Sequence, residues 1–315
     1  MRSFPITVKR ILPSIAKFVV AIIVLYLAIR QITGAVKGLD LSTVKLSPFY
    51  LLLSGILYLI GMAFFGSFWR IAAADMGGKM GCWEALRAYL ISQLGKYVPG
   101  KAWVPMMRCG LVERSRSPVA VTAVSSIYET LTMMAVGAMI SVIALFGGGI
   151  NQASILASAG AITICFGVVV QPFVFHSLIK IIRVSFRKGS SSEFVNPIRY
   201  STLVRGIYIE SIGWLLLGLS LAAVAAAVGV PMWSFKGLLL MTGNSALAIA
   251  GGFLAVVVPA GLGVRTSIMI FTLSPIIGAG PAAMIGLVMR IVQIISELLV
   301  SGVFYFFGNR SGSND

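Results

Sequence analysis

Acidic residues and metal-binding side chains are scarce in this sequence. It has nine Asp and Glu against 25 Lys and Arg, one histidine (His176) and three cysteines (Cys82, Cys109 and Cys165). The cysteines have neither paired nor metal-ligand spacing, and one histidine cannot complete a metal site alone. Gly77–Lys79 lacks the spacing of a Walker phosphate loop. We therefore expect free thiols, no metal, no cofactor and no ATP site.

Charged residues of either sign are also few: they make up 11% of the chain, whereas 58% of the residues are hydrophobic. This composition excludes a soluble globular domain and indicates a chain that uses lipid as its solvent. The apolar runs are long enough to cross a hydrocarbon core of about 30 Å, whereas a barrel would show short alternating strands. The prediction is an all-α, polytopic integral membrane protein with a single transmembrane domain.

The net charge of +16 is concentrated in two stretches. Residues 70–116 hold eight Lys and Arg and residues 180–205 hold six, whereas residues 147–152 hold none. Cytoplasmic loops of membrane proteins carry such an excess. We therefore interpret the basic stretches as cytoplasmic loops and expect no nucleic-acid partner. Both termini are expected in the cytoplasm, with the chain in the cytoplasmic membrane.

Six spanning helices are predicted, followed by a polar tail at 308–315. Their approximate bounds are 15–32, 47–69, 118–146, 154–182, 202–228 and 281–307. The first is interpreted as a retained signal anchor, and Pro172 is expected to kink the fourth. Residues 83–112 and 237–276 are interrupted by Pro and Gly. Both are predicted to be re-entrant hairpins, with a full span plus a short piece as the alternative for the second.

The two interrupted segments occupy corresponding places in two halves, 47–146 and 202–307. Each half runs from a span to a hairpin that opens at a tryptophan (Trp83 or Trp233) and then to a second span. The copies are offset by an odd number of crossings, which predicts an inverted repeat. In secondary transporters, interrupted helices in such repeats mark the substrate site.

Each hairpin turns at a tip of Pro and Gly that has basic residues around it. The half-helix that follows such a turn points unpaired N–H groups and a positive dipole end inward, which favours an anionic headgroup. The predicted substrate-binding residues are Lys96, Tyr97, Pro99, Gly100, Lys101 and Arg108 in the first hairpin and Pro259, Gly261, Gly263 and Arg265 in the second. For Lys101 and Arg108, snorkelling to the membrane interface is the alternative.

Charged side chains also lie inside predicted spans, where each costs roughly 2.5–3.5 kcal/mol on insertion scales. Glu129 lies on a polar face of the third span, while Arg290, Gln293 and Glu297 share one stripe of the last. We include all four in the predicted site. Glu129 and Arg290 follow their tip prolines at nearly equal distances, so we expect them to approach each other. A purely structural ion pair is the alternative.

Three segments together resemble the lysylphosphatidylglycerol synthase transmembrane family. They are Gln93–Lys101 with Arg108, Ser125–Glu129, and Pro259–Arg265. The resemblance extends from about residue 15 to 307. It implies translocation of lipids or lipid-linked groups across the cytoplasmic membrane, with the first and last segments in the lipid path.

Two departures from the family pattern affect the expected function. The family includes the flippase portion of the multiple peptide resistance factor, which also has a soluble aminoacyl-transfer domain; none fits after residue 307, so lysyl transfer is not expected. Where the family commonly has glutamate after the second tip, this chain has Arg265 and Thr266. A more cationic site favours anionic cargo.

The expected function is therefore a flippase-like transporter of an anionic phospholipid or lipid-linked substrate, either passive or ion-coupled. If it is ion-coupled, Glu129 and Glu297 are the expected proton carriers. An intramembrane lipid-modifying enzyme is one alternative. Another is a non-transporting scaffold for a glycosyltransferase or lipid synthase. Cargo, direction, coupling ion and homo-oligomer formation are left open.

Overall fold

The structure, a computed structural model, describes residues 46–98, 102–113, 116–185, 195–254 and 263–307. Within these ranges every regular element is helical, so the predicted all-α class is confirmed. Five helices are long and apolar enough to cross a membrane, and a bent helix pair makes a sixth if it is counted as one span. The chain is therefore a multi-pass membrane protein. The predicted first span and the polar tail lie outside the described residues.

Ten α-helices and one 3₁₀ helix lie in these ranges. They are α1 (Pro48–Asp75), α2 (Cys82–Ser92), the 3₁₀ helix (Gln93–Tyr97), α3 (Trp103–Leu111), α4 (Val119–Gly147), α5 (Ala153–Val169), α6 (Pro172–Ser185), α7 (Tyr200–Ala227), α8 (Phe235–Leu254), α9 (Val264–Ile277) and α10 (Ala279–Phe307).

Four predicted spans correspond closely to α1, α4, α7 and α10. Helix α1 begins at Pro48, whose fixed φ and missing N–H suit a first helical turn. It continues to Asp75, beyond the predicted end at residue 69. Arg70 lies inside this extension, and its guanidinium donates from Nε to the carbonyl oxygen of Met80 at 3.2 Å.

The fourth predicted span is not one straight helix. Helices α5 and α6 meet at an angle of 67° across a short break. Helix α6 starts at Pro172, which has no N–H to continue the hydrogen bonds of α5. The predicted kink is confirmed at this proline, and α5 with α6 makes the fourth predicted span if the bent pair is one span.

Each interrupted segment contains a helix followed by a shorter helix, and the residues between the two helices are here named the break. In the first, α2 and the 3₁₀ helix precede residues 99–101, which lie outside the described residues, and α3 follows. In the second, α8 precedes residues 255–262, also outside the described residues, and α9 follows. By length and composition α8 is a candidate span, whereas α2 is too short. This favours a span plus a short piece for the second segment.

Equivalent helices of the two halves make equivalent contacts. Helices α1 and α7, the first of each half, form the most extensive contact. The last helix of each half packs on the first hairpin helix of the other, α4 on α8 and α10 on α2. Likewise α4 contacts α7, and α10 contacts α1. The two interrupted segments are thereby held between the long helices.

Small residues bring α1 and α7 together. A Cβ atom added to Gly61 would lie 2.4 Å from Cδ1 of Leu217 and 3.1 Å from the carbonyl oxygen of Gly213, so a larger residue would force a shift at this contact. The hydroxyl oxygens of Ser54 and Ser220 are 2.9 Å apart across the same interface. Close backbone approach and interhelical hydrogen bonds are typical of helix association in lipid, where apolar burial between helices gains little.

Candidate functional site

Glu297 of α10 is the centre of a buried group of polar side chains, here named the Glu297 cluster, with Tyr58 of α1 and Lys96 and Tyr97 of the 3₁₀ helix. Lys96 forms a salt bridge with Oε1 of Glu297, and the Tyr58 hydroxyl donates to the same oxygen. The Tyr97 hydroxyl donates to Oε2 at 2.8 Å. Because Glu297 is only 2% exposed, low polarity strengthens these interactions. The end of the first hairpin is thus fixed to α10.

Gly95 lets the short helices of the first hairpin meet. A Cβ atom at this position would lie 3.0 Å from Sδ of Met107 and 3.1 Å from the backbone nitrogen of Val104. Any larger residue would push α3 away from the 3₁₀ helix. The close contact places Lys96 and Tyr97 directly before the break, facing α10.

Two arginines add positive charge to the Glu297 cluster. Arg265 lies in the first turn of α9 and Arg290 in α10, and both interact electrostatically with Lys96 and Glu297. The Arg265 side chain crosses Gly252 of α8, where an added Cβ would lie 2.4 Å from its Cγ. The Arg265 Nε is buried and has no hydrogen-bond partner among the described residues. Besides Lys96, which pairs with Glu297 directly, two further cations therefore interact with this carboxylate electrostatically.

Residues next to both breaks meet at the Glu297 cluster. Lys96 precedes the first break, and Arg265 follows the second. Gly263, the N-cap of α9, has a φ of +76°, a left-handed conformation that glycine adopts without steric cost. This conformation sets the direction of the first turn of α9, which carries Arg265.

A second buried group, here named the Glu129 cluster, joins α2, α3 and α4. Nη1 of Arg108 donates to Oε2 of Glu129 at 2.8 Å, and both side chains are 1% exposed. The Tyr89 hydroxyl donates to Oε1 of Glu129 at 2.9 Å, and Nε of Arg108 donates to the Ser92 hydroxyl at 3.2 Å. The guanidinium carbon lies 4.2 Å from the Tyr89 ring centre and 4.7 Å from that of Trp69. Aromatic faces and a carboxylate together stabilise this buried cation.

The predicted approach of Glu129 to Arg290 is wrong, since Glu129 pairs with Arg108. The electrostatic partners of Arg290 include Glu297, on its own helix. The cation that pairs with the carboxylate of each long helix lies on the short helix packed against it. Helix α3, which carries Arg108, contacts α4, and the 3₁₀ helix, which carries Lys96, contacts α10. Equal spacing from the two tips predicts equivalent positions in the halves, but equivalent positions need not touch.

Of the other predicted site residues, some lie in the protein interior and some lie outside the described ranges. Gln293, on the stripe of α10 shared by Arg290 and Glu297, is 4% exposed and faces the protein interior. Arg108 is too deeply buried to snorkel to an interface, so that alternative is wrong for it. The remaining predicted residues lie outside the described ranges: Pro99, Gly100, Lys101, Pro259 and Gly261.

Sequence reasoning missed two buried polar residues, Glu210 and Tyr58. Glu210 lies in the middle of α7 and is fully buried. A carboxylate inside the predicted span 202–228 was a signal that could have identified it. Tyr58 gave no such signal, because a tyrosine in an apolar run is indistinguishable from core packing until its hydroxyl has a partner.

Comparison with known families agrees with the segments quoted above. The model of the family described as "Lysylphosphatidylglycerol synthase TM region" matches residues 14–301. The match includes nearly the whole chain, so the chain belongs to this family. A search of curated proteins found no match.

Proposed function

We propose that this member of the family is a flippase-like transporter that moves an anionic phospholipid or lipid-linked substrate across the cytoplasmic membrane. The observation that carries the proposal is the positive charge of Lys96 and Arg265 at the Glu297 cluster. Lys96 forms a salt bridge with Glu297, and Arg265 interacts electrostatically with both while its buried Nε has no hydrogen-bond partner among the described residues. An anionic headgroup would balance this charge through charge-assisted hydrogen bonds.

The place of the Glu297 cluster in the fold supports a substrate site. The cluster contains residues that flank both helix breaks, and interrupted helices are where transporters of this architecture bind substrate. The buried Arg265 Nε, which lacks a hydrogen-bond partner among the described residues, is a donor available to a phosphate oxygen. Acyl chains would remain in lipid while the headgroup passes the breaks.

The symmetry of the helix contacts supports an inverted repeat of 47–146 and 202–307 that alternates access between the two membrane faces. The salt bridge between Lys96 and Glu297 joins the two halves, whereas that between Arg108 and Glu129 lies within the first half. In this account, cargo opens the Lys96–Glu297 contact by replacing Glu297 as the partner of Lys96. The Arg108–Glu129 pair keeps the first half rigid during the movement.

Translocation by the purified protein tests the proposal. Proteoliposomes would contain acyl-labelled phosphatidylglycerol, which is anionic, or phosphatidylcholine, which is zwitterionic, and a membrane-impermeant quencher would report movement between leaflets. We expect faster movement of phosphatidylglycerol, reduced to the protein-free rate by Arg265→Gln. Arg116→Gln is the matched control, because the Arg116 side chain is 56% exposed and pairs with Glu84 and Glu113, which belong to neither cluster. Equal rates for the two lipids, or unchanged transport by Arg265→Gln, would overturn the proposal.

The same samples test for chemical change in the cargo. Mass spectrometry of the labelled lipid is expected to find it unaltered after translocation. A new covalent species would favour the intramembrane enzyme. Failure of the purified, folded protein to move any lipid would favour the scaffold for a separate glycosyltransferase or lipid synthase.

A further inference from the structure

Glu210 is a buried ionisable side chain that neither cluster uses in an ion pair. It lies in the middle of α7 with 0% exposure, and neither of its carboxylate oxygens has a hydrogen-bond partner among the described residues. An unpaired carboxylate anion is one of the most costly groups to bury, whereas a neutral carboxylic acid costs far less. The geometry therefore favours a proton on Glu210.

Apolar contacts on both sides of Glu210 hold it away from water. Gly206 and Gly213 precede and follow it by about one turn on the same face of α7. A Cβ atom added to Gly206 would lie 2.5 Å from the Phe68 ring, and one added to Gly213 would lie 2.7 Å from the Phe65 ring. Helix α7 thus packs tightly on α1 above and below the carboxyl group.

The titratable groups that face Glu210 come from α2 and α4. The carboxylate of Glu129 interacts with it electrostatically, as do the hydroxyl groups of Tyr89 and Tyr128. Arg108, the cation in this region, is already paired with Glu129. An ionised Glu210 would therefore gain no unpaired cation from these groups.

The other helices packed on α7 offer Glu210 no counter-charge among the described residues. Arg70 of α1 donates to the Met80 carbonyl, and Lys236, the one ionisable residue of α8, lies in that helix's first turn. In α10, Arg290 and Glu297 interact at the Glu297 cluster. Glu210 differs in this way from Glu129 and Glu297, each of which has a cation partner.

We infer that Glu210 is a proton-binding site that couples cargo movement to a proton gradient, an inference that rests on the proposed transport function. With the proton bound, α7 packs on α1 and α4 as described above. In the other access state the carboxyl group contacts water, so its O–H bond breaks as the proton passes to a water molecule and a carboxylate remains. The carboxylate cannot return to its position between the Phe65 and Phe68 contacts, where it would lack a counter-charge, so this state persists until a proton is taken up. Uptake of a proton restores the packing.

Infrared spectroscopy of the protein without cargo tests proton binding. A C=O stretching band of a protonated carboxylic acid is expected in the wild type at neutral pH and is expected to be absent in the near-isosteric Glu210→Gln. Identical bands in the two proteins would overturn the inference. If the variant does not fold, labelling of the wild type with a hydrophobic carbodiimide replaces it. Modification of Glu210 supports a bound proton, and modification confined to other carboxyl groups contradicts it.

An imposed pH gradient tests coupling in proteoliposomes with labelled phosphatidylglycerol. If one proton accompanies each lipid, a gradient of one pH unit drives about a tenfold asymmetry between leaflets. We expect this asymmetry in the wild type and in the control Glu113→Gln, whose carboxylate is 67% exposed, but not in Glu210→Gln.

Two outcomes separate this inference from the proposed function. Lipid movement in the wild type without any response to the gradient overturns coupling and leaves transport intact. If the wild type moves no lipid, the proposed function fails, while the infrared band still decides whether Glu210 carries a proton.

Discussion

At the scale of single residues, the carboxylate of Glu297 determines how the first hairpin is attached to the second half. It accepts hydrogen bonds from Tyr58 and Tyr97 and forms a salt bridge with Lys96. Removing one partner of a buried ion pair leaves the other charge unpaired and costs more than the pair itself contributes.

Glu297→Gln is therefore expected to destabilise the protein. The loss should be about 1–3 kcal/mol, because the Lys96 ammonium, which is 16% exposed, would lose its carboxylate partner in a mostly buried site. Thermal unfolding in detergent measures the effect, with Glu113→Gln as the control. Added phosphatidylglycerol should restore part of the lost stability by binding the folded state, and phosphatidylcholine should not. An unchanged unfolding temperature, or equal rescue by the two lipids, would contradict this role of Glu297.

The sequence identified most residues of the two clusters but not their pairing. Charged side chains inside apolar runs require a partner in the protein interior, which singles out Glu129, Arg290 and Glu297 without coordinates. The partners of the two carboxylates, Arg108 and Lys96, were also in the predicted site. The pairing depends on which long helix each hairpin contacts, and no spacing along the chain encodes that contact.

At the scale of elements, the breaks in the two interrupted segments position the cations next to them, Lys96 and Arg265. Helix α9 begins directly after Gly263, whose φ of +76° is strained for any residue with a Cβ atom. Among the described residues no heavy atom lies within 4 Å of the position that such a Cβ would occupy, so the requirement for glycine shown there is conformational.

Gly263→Ala is expected to cost about 1–2 kcal/mol and to reduce lipid translocation, because a change at the start of α9 moves Arg265. Gly280→Ala is the matched control. Gly280 also has open space at its Cβ position, but it lies in the first turn of α10 without a positive φ. Alanine there should be neutral or slightly stabilising. Equal effects of the two changes on thermal unfolding would exclude a special role for the Gly263 conformation.

The accuracy of the predicted elements follows the strength of their physical signals. Long apolar runs bounded by polar or basic residues identified α1, α4, α7 and α10, because lipid imposes both the length and the composition. The run from 154 to 182 has the same composition, yet Pro172 divides it into two helices with a 67° bend. The size of such a bend depends on packing against neighbouring helices, which periodicity does not report.

At the scale of the whole molecule, the distribution of basic residues predicts the orientation in the membrane. The basic stretch 70–116 is expected on the cytoplasmic side, and the uncharged residues 147–152 on the opposite side. Cys82 is exposed at the start of α2, within the basic stretch.

Thiol labelling tests this orientation in intact cells. With Cys109 and Cys165 replaced by serine, Cys82 should react with a membrane-permeant maleimide but not with an impermeant one. Asn151→Cys, introduced with Cys82 also replaced, should react with both reagents. The reverse pattern would place the basic residues outside and overturn the topology.

The central claim is that positive charge held between the two interrupted segments binds an anionic headgroup. Native mass spectrometry of the purified protein, titrated with phosphatidylglycerol or phosphatidylcholine, measures this most directly. The account predicts preferential binding of phosphatidylglycerol by the wild type and by Arg116→Gln, and loss of that preference in Arg265→Gln. Equal binding of the two lipids by the wild type, or an unchanged preference in Arg265→Gln, would contradict it.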